Sequence, residues 1–322
     1  MKYTIYIFLF LALLQSSCKT SKSNFDYDKL LWTADWSPDG KFIAVGGNNN
    51  QLKILSAENL TLHRSLEKLN TITKIKWHPT EQLIAISRQG SVEINPGDNR
   101  SEIINLKDNS AVTLKGPHVR GLGWSPNGQM LATGDGEGDL RIFSKTGHLI
   151  KEIKTDQKSI TGLSWHPSSG KIVTVGSHIE IVDVPKEETI KIIPREIEIL
   201  MLSVEWHPSG NFFVTGDYGD NIVNYPALLM FWEVDGSLIR KIEKSKAEYR
   251  NLKWSQSGNQ LITASDKVRI WNKSGELVKE RNLGSLLWGI DWNSKDNKIV
   301  TSTEDGKVFV LDEELNILKK LN

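Results

Sequence analysis

The sequence predicts an all-β protein, a seven-bladed β-propeller of four-stranded antiparallel blades. Three observations predict it: a tryptophan-led phrase that occurs seven times, a spacing of 38 to 48 residues between its copies, and short β segments in between. The repeated tryptophans are Trp36, Trp77, Trp124, Trp165, Trp206, Trp254 and Trp292. A period of about 40 to 45 residues with four short strands per unit is typical of propeller blades.

The third repeat shows the four strands of a blade in chain order. Its segments are VRGLGW from Val119, QMLATG from Gln129, DLRIFS from Asp139 and HLIKEI from His148. Each is short, rich in β-branched or aliphatic residues and bounded by Gly, Asn, Asp or Pro, as strands usually are. The propeller is expected to cover residues 30–322.

The phrase WSPDG, at the first of the tryptophans, predicts the turn between the first and second strands of a blade. Ser37 suits the first position of a type I turn, Pro38 presets the second and Gly40 takes the fourth. Pro38 has no N–H, so it also ends the strand that Trp36 closes. The same phrase contains three histidines, His78, His166 and His207. They would lie one per blade and far apart, so we expect no metal site.

The last repeat carries its own fourth strand, in the segment NILKKLN from Asn316. We therefore expect blade 7 to close the ring by packing against blade 1. The alternative is that the residues from Phe25 to Leu30 supply the outer strand of the last blade.

The predicted outer strands are basic, with the sequences HRSLEK, HLIKEI, LIRKIEK, ELVKER and ILKK. Charged residues on an exposed edge strand discourage pairing with another chain. We interpret these runs as solvated edges. A docking patch for acidic partners is the alternative.

Three stretches carry a resemblance to a known family: LATGDGEGDLRIF from Leu131, LITASDKVRIWN from Leu261 and IVTSTEDGKVFVLD from Ile299. They resemble the WD-repeat family of β-propellers, and the resemblance covers the chain from about Leu30 to Asn322. The Gly-His pair of that family is missing here, and its terminal Trp-Asp is reduced to pairs such as Trp271-Asn272. The family's Asp-His-Ser/Thr-Trp side-chain network is therefore not expected.

Residues 1–17 are typical of a secretory signal peptide. Lys2 precedes an apolar run from Ile5 to Leu14, which is too short to cross a bilayer but suits the core of such a signal. Cys18 follows, and the segment resembles the lipobox of bacterial lipoproteins, in which this thiol receives a diacylglycerol. The alternatives are a plain signal peptide or an uncleaved anchor.

Cys18 is thus the predicted lipidation site, and residues 18–29 are expected to be a tether. Lys19, rather than Asp, after the cysteine resembles lipoproteins sent to the outer membrane, and the absence of an acidic run after it favours the periplasmic side.

Composition excludes several classes of function. The chain has 40 Lys plus Arg against 39 Asp plus Glu, so its overall charge favours no nucleic-acid partner. Its single cysteine allows no intramolecular disulfide. No catalytic, phosphate-binding or metal motif is found. We expect a monomeric protein without cofactor or metal that is not an enzyme.

Strand alternation places candidate binding residues on one face of the disc. The loops that enter strand one and those that join strands two and three share this face, which we call the top face. The position four residues before each repeated tryptophan lies there, beside the axis: Trp32, Thr73, Arg120, Thr161, Leu202, Arg250 and Trp288. Trp and Arg are enriched among binding hot spots, so Trp32, Arg120, Arg250 and Trp288 are partner-binding candidates. The alternative is that Trp32 and Trp288 only join the chain's two ends.

The same face carries the largest interruption of the period. The fifth repeat has GDYGDNIVNYPALLMFW, about seven residues more than the third needs for the equivalent turn. Loop insertions in repeat proteins often mark the binding face. Asp217, Tyr218, Asp220 and Tyr225 are therefore further candidates. The alternative is a tolerated insertion, since lengthening a surface loop costs little.

The residue directly before each tryptophan is expected to line the central channel: Asp35, Lys76, Gly123, Ser164, Glu205, Lys253 and Asp291. Opposite charges on neighbouring blades predict ion pairs of Asp35 with Lys76 and of Lys253 with Glu205 and Asp291. A cation site at Asp35 and Asp291 would lack a third carboxylate.

Together these features predict an exported, lipid-anchored propeller that binds a protein or peptide in the bacterial cell envelope. The alternative is an envelope enzyme or small-ligand sensor that uses the central channel.

Overall fold

The computed structural model describes residues 26–68, 70–89, 100–195, 199–220, 224–293 and 297–322. These residues form seven four-stranded antiparallel sheets, and within each sheet strands adjacent in sequence are adjacent in space. The predicted seven-bladed β-propeller is confirmed.

A short 3₁₀ turn, Tyr27–Lys29, precedes blade 1. Blade 1 contains β1 (Leu31–Trp36), β2 (Phe42–Gly47), β3 (Gln51–Ser56) and β4 (Leu62–Glu67). Blade 2 contains β5 (Thr71–Trp77), β6 (Leu83–Gln89), β7 (Ser101–Asn105) and β8 (Ala111–Leu114). Blade 3 contains β9 (Gly121–Trp124), β10 (Met130–Gly134), β11 (Asp139–Ser144) and β12 (Leu149–Lys154). Blade 4 contains β13 (Gly162–Trp165), β14 (Lys171–Val175), β15 (Ile179–Asp183) and β16 (Glu188–Ile193).

Blade 5 contains β17 (Met201–Trp206), β18 (Phe212–Asp217), β19 (Leu229–Glu233) and β20 (Leu238–Ile242). Blade 6 contains β21 (Asn251–Trp254), β22 (Gln260–Ala264), β23 (Val268–Asn272) and β24 (Leu277–Arg281). Blade 7 contains β25 (Leu287–Asn293), β26 (Lys298–Thr303), β27 (Val308–Asp312) and β28 (Ile317–Leu321). Six first strands end at the repeated tryptophan, and β25 ends one residue later.

The core lies between the blades. Each of the seven buried clusters in the described residues joins two neighbouring blades, as where Ile43 and Val45 of blade 1 meet Val308 and Val310 of blade 7. A blade buries its apolar faces only against its neighbours. The stability of the fold therefore depends on closing the ring.

The repeated phrase forms the predicted turns on the bottom face, opposite the top face. In blade 1 the Gly40 N–H donates to the Ser37 carbonyl over 2.9 Å, and the turns after Trp124, Trp206 and Trp254 have the same bond. Glycine is required in these turns. Gly128, for example, has a φ of +71°, and a Cβ there would lie 2.4 Å from Cε1 of His78.

Each of the three histidines of the phrase joins its own blade to the next one. Nε2 lies 2.8 Å from the Gly128 carbonyl oxygen in His78, 3.1 Å from that of Gly210 in His166, and 2.9 Å from that of Gly258 in His207. Nδ1 of each ring accepts backbone N–H groups of its own turn. Nε2 must then carry the proton and donate, so both ring nitrogens are already used.

Blade 7 closes the ring as predicted, with β28 as its own fourth strand. The Trp36 N–H donates to Oδ2 of Asp291 over 2.8 Å, and the Ser302 hydroxyl donates to the Leu31 carbonyl over 3.1 Å. The alternative, an outer strand from residues 25 to 30, is wrong, since residues 27–29 form the 3₁₀ turn.

The basic outer strands do more than stay solvated. In six blades the pairing register between strands three and four shifts near the start of strand four. A Lys or Arg follows this shift, at residue 64, 151, 191, 240, 279 or 319. Five of these cations donate to the next blade, as Lys151 does to Glu187 over 2.8 Å and Lys319 to the Ala57 carbonyl over 2.8 Å. The basic pattern therefore also joins the rims of neighbouring blades.

Blades 5 and 6 contain bonds like those of the side-chain network in the WD-repeat family. Trp232 and Trp271 each donate their indole N–H to a threonine of strand two, Thr215 and Thr263, over 3.0 Å. Our expectation that the network is absent is therefore too strict for blades 5 and 6, where its Trp–Thr half remains.

Candidate partner-binding face

The top face brings together three of the four aromatic and cationic candidates at the starts of blades 6, 7 and 1. The rings of Trp32 and Trp288 meet edge to face, with centroids 4.3 Å apart and an interplanar angle of 85°. Cζ of Arg250 lies 3.7 Å from the centroid of Trp288 and 5.3 Å from that of Trp32. A guanidinium this close to an indole face makes a cation–π contact. We call these three residues the aromatic stack.

The stack is held in place by polar contacts on both sides. Trp32 donates its indole N–H to Oδ1 of Asn48 over 2.7 Å. Nη2 of Arg250 lies 2.5 Å from Oε1 of Glu248, and Nε donates to the same oxygen over 2.8 Å. Because a guanidinium bonded to a carboxylate loses rotational freedom, the stack is rigid before any partner arrives.

Exposure separates the members of the stack. Trp288 is 5% exposed and supports the others, whereas Trp32 is half-buried and the Arg250 side chain keeps 14% of its surface exposed. The contact between Trp32 and Trp288 also spans the seam between blades 1 and 7. Joining the chain's ends and offering a binding surface are therefore compatible roles, and the binding role stays a prediction.

Arg120, the fourth candidate, stands apart from the stack. It begins blade 3, where its backbone N–H donates to the Gly134 carbonyl over 2.9 Å. Its half-buried side chain makes no hydrogen bond or ion pair with any residue that the structure describes. Burial, and then the charge of Arg250, lower the pKa of Arg120.

The long loop of blade 5 reaches the neighbourhood of the stack through Tyr218. This residue is half-buried, and its pKa is raised by burial and then by the charge of Glu248, while Arg250 opposes the rise. The side chain therefore lies within electrostatic range of the ion pair that positions the stack. Asp220, also half-buried, pairs through its backbone with Tyr225 in both directions, at 2.7 Å each, which closes the base of the loop.

Asp217 is not available to a partner, contrary to our prediction. It is the last residue of β18, is fully buried, and forms a two-pronged ion pair with Arg195, at 2.8 Å for each bond. Arg195 also donates to the Tyr225 hydroxyl over 3.1 Å. Through Arg195, the buried Asp217 therefore holds Tyr225 and the base of the loop in place.

Tyr225 has a similar supporting role. It is half-buried and packs against the cluster between blades 4 and 5. The sequence did hold a signal for the role of Asp217, because TGD ends strand two in repeat 5 and also occurs in repeat 3, where its Asp is the first residue after the strand. There Asp135 is fully buried and pairs with Arg141.

Two of the predicted ion pairs of the channel wall are confirmed, and in the described residues Lys253 forms no ion pair with Asp291. Nζ of Lys76 lies 3.1 Å from Oδ1 of Asp35, and Nζ of Lys253 lies 2.9 Å from Oε1 of Glu205. Asp35 also accepts the Trp77 N–H over 2.7 Å. Asp35 and Glu205 therefore join neighbouring blades below the top face.

Asp291 is the remaining acidic residue of the wall. Burial, and then the charge of Asp35, raise its pKa to about 7. The carboxylates of Asp35 and Asp291 are already committed to backbone N–H groups. No group of three or more potential ligands that could hold a metal ion exists in the described part of the chain.

Sequence reasoning missed Lys74, which crosses the channel. It lies on β5 in blade 2, and its Nζ donates over 2.6 Å to Oδ1 of Asn251 in blade 6. Asn251 in turn donates to the Trp288 carbonyl.

A depression of about 530 Å³ lies away from this channel, on the bottom face between blades 6 and 7, beside residues such as Gln256 and Trp292.

In the described residues, no helix is both long and apolar enough to cross a membrane. The predicted signal peptide, residues 1–17, and the predicted lipidation site, Cys18, lie outside the described residues.

Comparisons with known proteins agree with the architecture. The family profile of the anaphase-promoting complex subunit 4 WD40 domain matches residues 23–80 and 76–168. The matches support a β-propeller of the WD-repeat type. The two matched ranges together cover less than half of the chain. The structure alone shows that the remaining residues form blades.

Curated relatives are similar along most of this chain. Actin-interacting protein 1 of Drosophila melanogaster is 25% identical over 262 residues, 78% of this chain and 41% of that protein. The SIR4-interacting protein SIF2 of Saccharomyces cerevisiae is 22% identical over 80% of this chain and 54% of its own length. THO complex subunit 3 of Arabidopsis thaliana is 19% identical over 87% of this chain and 88% of its own. The chain thus spans about half the length of the first two relatives.

Proposed function

We propose that this propeller is a scaffold that binds a protein or peptide partner through its top face. The observation that carries the proposal is the aromatic stack, in which Trp32 and Arg250 are held rigid at the surface next to the loop of Tyr218. Rigid aromatic and arginine anchors lose little conformational entropy on binding and dominate binding energy in protein interfaces.

The relatives support this class of function. Two of them are named for a protein with which they interact, actin in one case and SIR4 in the other. Those partners belong to the relatives. What we carry over to this chain is only that a propeller of this type binds proteins.

We further propose that the protein acts in a bacterial cell envelope, anchored by a lipid on Cys18. The apolar run from Ile5 to Leu14 and the position of the single cysteine four residues after it support this location. Acyl chains contribute about 0.8 kcal/mol per buried methylene, so two or three chains give stable anchoring. Mass spectrometry should find an acylated Cys18 as the mature N-terminus, and Cys18→Ser should release the protein from membranes. Membrane retention of Cys18→Ser would contradict the anchor.

Capture of crosslinked partners from intact cells tests the scaffold itself. Tyr218→Ala should leave the melting temperature within a few degrees of the parent and weaken capture about tenfold, the loss typical of one interface anchor. Gln256→Ala is the matched control, since Gln256 is an exposed turn residue on the bottom face. Equal capture by both variants would rule out the top face as the binding surface.

A further inference from the structure

The described segment that precedes blade 1 lies on the top face, at the seam between blades 7 and 1. The Tyr27 carbonyl accepts a hydrogen bond from Nδ2 of Asn48 over 2.9 Å, and Asn48 comes directly after β2. The Asn48 N–H donates to the Leu30 carbonyl over 3.0 Å. On the blade 7 side, the Lys29 carbonyl oxygen would lie 2.8 Å from a Cβ at Gly306, in the turn between β26 and β27. The chain therefore joins the disc at its top face.

This junction is next to the aromatic stack. While Nδ2 of Asn48 donates to Tyr27, Oδ1 of the same side chain accepts the Trp32 indole N–H over 2.7 Å and the Thr71 hydroxyl over 3.3 Å. One amide side chain thus fixes both the junction and a member of the stack. An anchor on the residues before the junction is therefore attached beside the candidate binding surface.

The number of residues before the junction limits how far the disc can lie from an anchor at Cys18. Asp26, the first described residue, is eight residues after Cys18. Eight residues extend to at most about 29 Å. The junction therefore stays within about 29 Å of a lipid-bearing Cys18.

The path to the bottom face is longer than this limit. Strands in a sheet are about 4.8 Å apart, so strand four lies roughly 10 Å outward from strand two. A six-residue first strand such as β1 rises roughly 20 Å between the two faces. A chain that starts above strand two must therefore cover about 30 Å, and the turns on both faces in addition, before it passes below the bottom face. The anchor can bring the top face to a bilayer but not the bottom face.

The same limit restricts the size of a partner on the top face. An α-helix with its side chains is about 10 to 12 Å across, so it fits between the disc and a bilayer at most about 29 Å away. A compact domain of about 100 residues has a radius of gyration of about 13 Å, hence a diameter of roughly 34 Å, and does not fit.

We infer that the top face is turned towards the membrane that holds the lipid anchor, and that its partner is a single helix or an extended segment at the surface of that membrane. A protein embedded in or anchored to the same bilayer would supply this segment. The inference rests on the proposed function, both on the lipid at Cys18 and on the top face as the binding surface.

Fluorescence quenching on vesicles tests the orientation. The lipidated protein is bound to phosphatidylcholine vesicles that contain a lipid with a spin-labelled headgroup. Acylation consumes Cys18, the single cysteine of the chain, so a cysteine introduced by Glu137→Cys or by Asn127→Cys is the only free thiol for a fluorophore. Both positions are exposed turn residues of blade 3, Glu137 on the top face and Asn127 on the bottom face, and they form a matched pair.

The fluorophore at position 137 should be quenched more strongly than the one at position 127. Inserting about 20 Gly and Ser residues between Asn24 and Phe25 should remove most of this difference, because the longer chain can pass round the rim. Equal quenching without the insertion, or stronger quenching at position 127, would overturn the inference. A difference that the insertion leaves unchanged would also overturn it, since the top face would then bind lipid itself.

The identity of the crosslinked partner separates this inference from the proposed function. A photocrosslinking amino acid at position 218 of the anchored protein should attach to a peptide that adjoins a membrane-spanning or lipid-bearing segment of the partner, as mass spectrometry can show. A crosslink to a folded protein without membrane attachment would overturn the inference and leave the top face as the binding surface. No product from position 218, or an unacylated Cys18, would contradict the proposed function as well.

Discussion

On the bottom face the same histidine contact recurs at three of the seven blade interfaces, whereas equivalent positions on the top face carry different side chains around most of the ring. His78, His166 and His207 each contact a glycine carbonyl in the next blade at 2.8 to 3.1 Å. At the top, the position four residues before the repeated tryptophan is aromatic in blades 1 and 7, cationic in blades 3 and 6, and threonine or leucine in the others.

The difference follows from what each face must do. Every pair of neighbouring blades meets with nearly the same geometry, so a contact that stabilises one interface can stabilise the others with the same residues. The top-face positions are less constrained by that geometry and are free to vary. Repetition in the sequence therefore indicates structure in this protein, and departures from repetition mark the residues to test for function.

The largest effect is expected from removing the last strand, because it opens the ring. Deletion of residues 316–322 removes the ladder between β27 and β28 and the contact of Lys319 with the Ala57 carbonyl. Each backbone hydrogen bond contributes about 1 kcal/mol and the partly buried Leu321 about 1, so the loss should be about 5 kcal/mol. Denaturant unfolding measures it. An unchanged midpoint would show that closure depends on another element.

The next largest effect should come from Asp217→Ala, which separates support from binding within the long loop. This change leaves the Arg195 guanidinium buried without its carboxylate, and breaking such a pair typically costs about 3 to 5 kcal/mol. Asp220→Ala is the control and should cost less than about 1 kcal/mol, since the backbone bonds to Tyr225 are kept. If Asp217→Ala instead melts like the parent and loses only the partner, Asp217 is a binding residue after all.

His207→Ala tests the bottom face. The ring donates to the Gly258 carbonyl over 2.9 Å and packs edge-on against Trp254, with centroids 4.7 Å apart. Losing both should lower the free energy of unfolding by about 2 to 3 kcal/mol. Partner capture at a temperature where the variant is folded should be unchanged. His148→Ala, at an exposed position, should change stability by less than about 0.5 kcal/mol.

A smaller effect is expected from pH. Burial is the main cause that lowers the pKa of His166 and His207 in the folded protein. The unfolded chain, with a histidine pKa of about 6.5, then binds more protons, so stability is lost as pH falls below that value. Asp291 acts in the opposite sense, because its raised pKa, about 7, favours the folded state as pH falls. The difference between parent and His207→Gln, measured from pH 7.5 to 5.5, isolates the histidine. A difference that stays constant over this range would contradict the prediction.

Much of the fold was predictable because the period encodes it. The spacing of the tryptophans gives the number of blades, and the turn phrase gives the strand order. The pairs Asp35–Lys76 and Glu205–Lys253 followed because equivalent positions of neighbouring blades lie side by side.

The contacts that the sequence did not predict depend on distances across the channel and between blades, which the spacing of the repeats does not specify. Lys74 reaches Asn251 only because the channel is narrow enough for one lysine to cross, and Arg195 meets Asp217 from a segment between blades. Asp217 aligns with the buried Asp135 of repeat 3, so it belongs to the blade and not to the inserted part of the loop.

The central claim, that a partner binds the top face, is tested most directly by a photocrosslinking amino acid placed at one position of the full-length protein in cells. Position 218 on the top face is compared with position 256 on the bottom face. The account predicts a discrete crosslinked product from position 218 and none from position 256. Products of equal yield from both positions, or from position 256 alone, would contradict it.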